Sequence, residues 1–390
     1  MEEGDLAAAI GLYNRYCEYR KSHDGIGPSP AMVELFDRAR AAPGGNDEAS
    51  APTWPEAPTV GGAVPLTSNL YIERHVDAVF AEALARRESI VRLQGPRQTG
   101  KSSILARGLQ KARGLGSATF VVEFGRLAEA DLASMDALCR RLAAVIAAQH
   151  EEEVDPTETW LEALGAGLNL ERFVLRRVVA PRTEPVVIAI DDVDRLFGRP
   201  FADEFFALLR SWHEFRAKDP VRPWDRLTLA LVLATDARLY LRNLNHSPFN
   251  VGRRVAVEDL RPAEIDEIVR CHGVDLGGSE DLRRFHQMVG GSAYFACRTL
   301  QAMAEQGWSV EEVCAHAGRD DGPLAGPLRD IHAKLAGDAE LSGAVRRVLA
   351  GQGCGDDELS RLRSGGVLLG EPESPRFRNA AIRRYLEDHL

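Results

Sequence analysis

The stretch Ser89-Ile90-Val91-Arg92-Leu93-Gln94-Gly95-Pro96-Arg97-Gln98-Thr99-Gly100-Lys101-Ser102-Ser103 decides the reading of this chain. An apolar strand runs into a glycine-bracketed loop, and a helix-forming segment follows. Glycines at both ends let the backbone wrap tightly, so that its N–H groups and the N-terminus of the next helix point at phosphate oxygens. Gly95, Pro96, Arg97, Gln98, Thr99, Gly100, Lys101, Ser102 and Ser103 are therefore the expected nucleotide-phosphate cradle, with a nucleotide the ligand considered first. Lys101 would reach the β- and γ-phosphates and the Ser102 hydroxyl would take a place on Mg²⁺. The competing reading is a structural turn between a strand and a helix.

Working outward, β-rich apolar runs recur at Ser89 to Gln94, Ala118 to Phe124, Val186 to Ile190, Leu227 to Ala234 and Val255 to Val257, with helix-period stretches between them. That alternation predicts an α/β fold with a five-stranded, mainly parallel sheet covered by helices on both faces. Ligands of such sheets bind at the carboxyl ends of the strands. The run Val186-Val187-Ile188-Ala189-Ile190 ends there in Asp191-Asp192. Asp191 is expected to hold Mg²⁺ and Asp192 to polarise an attacking water, although Asp-Asp after a strand also suits a turn or a helix cap. Thr235, after the run Leu227 to Ala234, is either a sensor of the γ-phosphate or a cap. Arg253, in Phe249-Asn250-Val251-Gly252-Arg253-Arg254, either stabilises phosphate charge in its own or a neighbouring subunit or is solvated. The former makes a nucleotide-dependent homo-oligomer an expected assembly.

Composition narrows the class. Of 390 residues 45% are hydrophobic and 27% charged, ordinary for a globular protein with a real core, and the net charge of −10 offers no general attraction to nucleic acid or anionic membrane. No apolar run approaches a membrane span and the acidic N-terminus lacks a signal-peptide pattern, so a soluble cytoplasmic protein is expected. The six cysteines are scattered without a Cys-x-x-Cys, and read as reduced thiols. Residues 41–59, rich in Pro, Gly and small side chains, form a linker. Residues 1–40 read as two short helices that cannot bury both apolar faces alone.

The divisions expected are thus a helical segment 1–40, a linker 41–59, a P-loop NTPase core 60–260, a helical lid 261–318 and a tail 319–390. The lid helices are Pro262 to Cys271, Asp281 to Val289 and Ala293 to Glu305. In the tail, helix-like Pro327 to Leu349 and Asp357 to Arg363 precede Gly366-Val367-Leu368-Leu369, Arg376-Phe377-Arg378 and Ile382 to His389. Helices followed by a small hairpin suggest a winged helix. Residues 326–390 carry ten Lys plus Arg and ten Asp plus Glu, a balance that disfavours DNA binding by phosphate contacts.

From about Gly61 to Leu300 the chain resembles the bacterial AAA-like ATPase domain related to the STAND class of signal-transducing NTPases. The resemblance rests on an ordered set: Gly62-Ala63-Val64-Pro65-Leu66, Tyr71-Ile72-Glu73-Arg74, Arg97 to Ser103, Ile190-Asp191-Asp192-Val193-Asp194, Asp203 to Arg210, Arg226-Leu227-Thr228 and Ser247 to Gly252. It implies Arg74 near the adenine or ribose, and departs from the family in two places. Asp192 stands where Glu is usual, and Gly290-Gly291-Ser292-Ala293 lacks the proline of Gly-Gly-x-Pro. Gly4 to Tyr16 and Gly27 to Phe36 resemble the end of the tetratricopeptide-like bacterial transcriptional activator domain. Together these imply a regulatory ATP/ADP switch whose helical head meets protein partners or effector domains. A DNA-bound Orc-like ATPase and a non-hydrolysing nucleotide scaffold are the alternatives.

Overall fold

The computed structural model describes residues 63–150, 155–219, 221–234 and 248–390. They belong to one compact unit, Ala57–Leu390. The helical segment 1–40, the linker 41–59 and Thr235 lie outside the described residues.

Five strands form one sheet: β1 (Ile90–Gln94), β2 (Ala118–Glu123), β3 (Val186–Asp191), β4 (Leu227–Leu233) and β5 (Arg253–Ala256). Their order is β2-β3-β4-β1-β5, and every neighbouring pair is parallel. Central β3 and β4 are buried along their whole length, which is why their sequences run apolar without alternation. Their pleat still sorts side chains between two layers. Ile188, Ile190, Leu229 and Leu231 enter one core with Phe120 and Val122, while Val187, Ala189, Ala230 and Val232 enter the opposite core with Val91 and Leu93.

Helices supply the outer halves of both layers. α1 (His75–Ala85) and α2 (Lys101–Gly114) cover one face through Phe80, Leu84, Ile104, Leu105 and Leu109. α3 (Met135–Ala147), α4 (Gly165–Phe173) and α5 (Ala202–Lys218) cover the other. In α5 an aromatic stripe at helical spacing buries one face: Phe205 and Phe206 are fully buried, and Trp212 stacks on Trp224. The backbone continues from α4 as a π-helical turn, Val174–Val179, that buries Val174, Val178 and Val179.

Beyond β5 come α6 (Pro262–His272), α7 (Ser279–Val289), α8 (Ala293–Gln306) and α9 (Val310–His316). Then follow α10 (Ala325–Ala336), α11 (Ala339–Leu349), α12 (Asp356–Ser364), the antiparallel hairpin β6 (Leu368–Glu371) with β7 (Ser374–Phe377), and α13 (Ala380–His389). Three expectations change. The single helix over Pro327 to Leu349 is two, because Asp338 accepts from the Leu341 N–H at 3.1 Å and so starts a new helix after Gly337. The last strand lies earlier than expected, opposite Val91 to Gln94 of β1. Helix α9 was not expected, although Ser309 and Glu312 form a capping box that marks its start. The segments read as lid and tail share one hydrophobic core, in which Phe285, Phe295 and Leu300 join Leu328, Val345, Leu368 and Leu386.

The α5 face gives a stability test. Phe205→Ala should lower the free energy of unfolding by about 3–5 kcal/mol, read from urea titration followed by circular dichroism.

Candidate functional site

The sheet order places the ends of β1 and β3 on either side of β4, so the loop after Gln94 and the acids after Ile190 share one edge. The loop itself is shaped by backbone. Gln98 has φ 64° and Gly100 φ 87°, two left-handed residues that turn the chain back into α2. Gly95 is required for space: a Cβ there would stand 2.1 Å from the Val257 carbonyl oxygen. The first intrahelical bond of α2 runs from the Ile104 N–H to the Gly100 oxygen, leaving the N–H groups of the first turn directed at the loop mouth. Together with the partial positive charge of the helix start, this is an anion cradle.

Lys101 folds back over the loop, where its Nζ donates to the Pro96 carbonyl at 2.7 Å, and the Thr99 hydroxyl donates to the same oxygen at 2.9 Å. Burial lowers the Lys101 pKa to about 8, opposed by the carboxylates of Asp194, Asp191 and Asp192. The Ser102 hydroxyl donates to Asp191 Oδ2 at 2.8 Å. This joins the two residues expected at Mg²⁺, and a hydroxyl beside a carboxylate is the hard oxygen set that ion takes. Burial pushes the Asp191 carboxyl upward, opposed by the Ser102 bond, while neighbouring Asp192 adds to the rise. An arriving cation would return it to the ionised form. Asp192 follows in a left-handed conformation, φ 54° and ψ 37°, with its N–H donated to Asp191 Oδ1 at 2.9 Å.

The other expected residues have separate settings. Arg74 lies against the loop backbone, donating to the Thr99 carbonyl at 2.9 Å and the Glu258 carbonyl at 3.3 Å. Ser103 is buried and accepts from the Val64 N–H at 2.9 Å, so it anchors the incoming strap over α2. Arg253 is exposed at the start of edge strand β5, opposite Val91. It stands three positions before Ala256 at the phosphate edge, about 10 Å along the strand. The fold does not bring it to the loop of its own chain.

Sequence reading missed the residues that join the tail to the loop. The Arg378 side chain, 2% exposed, donates through Nε to both Asp259 carboxylate oxygens at 3.0 Å, and its Nη2 also bonds to Asp259. Its Nη1 donates to the Arg97 carbonyl at 2.9 Å. The Arg97 N–H donates to the Ser364 carbonyl at the end of α12 at 3.2 Å. Both backbone groups of one loop residue are thus held by the tail. Nothing in the local pattern of Arg376-Phe377-Arg378 signals a partner 119 residues away.

A family model described as an AAA-like domain matches residues 59–388. The chain belongs to this AAA-like domain family. Its fold is that of P-loop ATPases. The Walker-type ATPase PABY2304 of Pyrococcus abyssi superposes with a TM-score of 0.57 at 13% identity, covering 81% of this chain and 96% of that one. The Aeropyrum pernix Orc1 protein in complex with DNA gives 0.44 at 16% identity, over 83% and 95% of the two chains. Cdc6p from Pyrobaculum aerophilum gives 0.43 at 12%, over 83% and 97%. No match was found among curated proteins. Among the described residues no helix is long and apolar enough to cross a membrane.

In this AAA-like domain Lys101 is the one side chain in the loop whose positive charge is buried beside three acids. Lys101→Ala should abolish Mg-ATP binding measured by calorimetry while leaving the circular dichroism spectrum unchanged.

Proposed function

We propose that the chain is an ATP-operated regulatory switch with slow, Mg²⁺-dependent hydrolysis. It would act in signal transduction or transcription regulation through protein contacts. The observation that carries this reading is the grip of the tail on Arg97. A loop shaped for phosphate is bonded through both peptide groups of one residue to a body of helices that shares its own core. Lys101 holds Pro96, the residue before Arg97, and would leave that carbonyl to reach phosphate oxygens. The peptide that the tail grips is therefore the one whose surroundings would change on binding. A ligand shifts such a two-state arrangement only through its different affinity for the two forms, so slow turnover suffices.

The loop N–H groups and Lys101 would hold the phosphates, and Ser102 and Asp191 the metal. Mg²⁺ there would neutralise phosphate charge. Asp192 would accept the proton of the attacking water, with a reach one methylene shorter than glutamate. Arg74, fixed on the Thr99 carbonyl, would border the nucleoside side of the loop. ADP would be the product and the second ligand. Residues 1–40 are the segment we assign to effector or partner contact.

Charge placement supports protein contacts over DNA. Helix α12 opens with Asp356, Asp357 and Glu358, whereas a recognition helix presents its N-terminal residues to base edges. Arg361 is paired with Asp338 and Glu340, Arg383 with Glu387, and the hairpin turn carries Glu371 and Glu373.

Mg-ATP should change amide hydrogen exchange at 364–366 and 376–379 in the wild-type chain and not in Lys101→Ala; no change at saturating nucleotide would refute the switch. Asp192→Asn should retain Mg-ATP affinity and lose phosphate release, on the order of a hundredfold in kcat.

A further inference from the structure

The turn after β2 faces Asp192. Glu123 lies opposite Asp191 in the parallel register, so the exits of β2 and β3 run side by side. A Cβ added to Gly125 would stand 2.8 Å from Asp192 Oδ2, and among the described residues the only other atom within 4 Å is the carboxyl carbon of the same residue. The backbone at Gly125 is not left-handed. Glycine is present there for space and not for conformation, and the space is the one the Asp192 carboxylate rests over.

The turn cannot retreat to make room. Phe124 is fully buried and its ring packs on Phe205 at 6.3 Å between centroids. Arg195, three residues beyond Asp192, donates to the Phe124 carbonyl and to the Leu127 carbonyl at 3.0 Å, bracketing Gly125. Its Nη2 meets Glu129 at 2.8 Å. The left-handed backbone of Asp192 in turn fixes the direction of its Cα–Cβ bond. Any group added at Gly125 is therefore relieved by rotation of the carboxylate, the one flexible atom set in contact.

We propose that Gly125 is a positioning residue for hydrolysis: by lacking a side chain it sets where the Asp192 carboxylate rests, and so whether that carboxylate can take the water proton. This rests on the hydrolytic reading of the site. In the step concerned, the water oxygen forms a bond to the γ-phosphorus and the bond from that phosphorus to the β–γ bridging oxygen breaks. Its electron pair leaves on ADP, and the water proton passes to Asp192.

The test is a cycle of Gly125→Ala, Asp192→Asn and the double variant, with Mg-ATP affinity and steady-state phosphate release measured on the full chain. Gly125→Ala should leave affinity and KM within about twofold of wild type and lower kcat by about ten- to a hundredfold, the scale of a displaced catalytic group. Added to Asp192→Asn it should change nothing further, because its effect runs through that carboxylate. Gly125→Ser, whose hydroxyl can also bond the carboxylate and hold it aside, should be at least as slow. Wild-type turnover in Gly125→Ala, or an equal further loss in the Asp192→Asn background, would overturn the role of Gly125 alone. A wild-type chain that binds Mg-ATP without releasing phosphate would overturn the hydrolytic reading, and this role with it.

Discussion

A guanidinium can be taken out of water only if its charge is paired and its N–H groups find acceptors, and Arg378 meets that demand at the meeting point of three parts of the chain. Asp259, at the exit of β5, supplies the counter-charge, and Arg97 in the phosphate loop supplies a carbonyl. The approach this requires explains three glycines. A Cβ at Gly366 would lie 2.7 Å from Arg378 Nη1, one at Gly290 2.3 Å from the Arg378 carbonyl oxygen, and one at Gly291 2.5 Å from the Asp259 Cβ. Gly290 and Gly291 stand in the Gly-Gly-Ser-Ala segment noted for its missing proline. Here that segment packs closely against Arg378 and Asn379 on one side and Asp259 and Leu260 on the other, and Ser292 caps α8 by accepting from the Phe295 N–H.

Because the helices after β5 share one core with the tail, a force on Arg97 is felt by a body and not by a single side chain. Close-packed cores shift between discrete packings and do not deform gradually. On the proposed switch the loop would undergo a matching discrete change, from Lys101 bonded to Pro96 to Lys101 bonded to phosphate. Coupling between the two would need no chain of intermediaries, since Pro96 and Arg97 are consecutive.

The acid side of the site follows from strand order. With β3 and β1 flanking β4, Asp191 reaches Ser102 across the edge, and the next residue must turn sharply. Asp192 does so in a left-handed conformation that few residue types other than Gly, Asn and Asp enter without cost. The aspartate at this position, shorter than glutamate, is also the residue whose backbone conformation the turn favours.

The sequence by itself determined the parts governed by local pattern. The glycine spacing and lysine of the loop, the apolar runs of β3 and β4 and the stripe of α5 each carry their meaning within a few residues. The α/β class and the parallel sheet were legible from them, as was the reason to look for Ser102 and Asp191 at one edge of the sheet. The tertiary structure decided what depends on distance in the chain. Arg378 has no local signal of its role, since Asp259 and Arg97 become its neighbours only when the tail packs on the core. Gly125 gains meaning only when β2 aligns with β3. Arg253, read either as a phosphate contact in its own or a neighbouring subunit or as a solvated arginine, is set by the register of β5 with β1 at the end of the edge strand away from its own loop. Periodicity and turn chemistry are properties of neighbouring residues, whereas a buried charge or a bare Cα is interpretable only from what surrounds it in space.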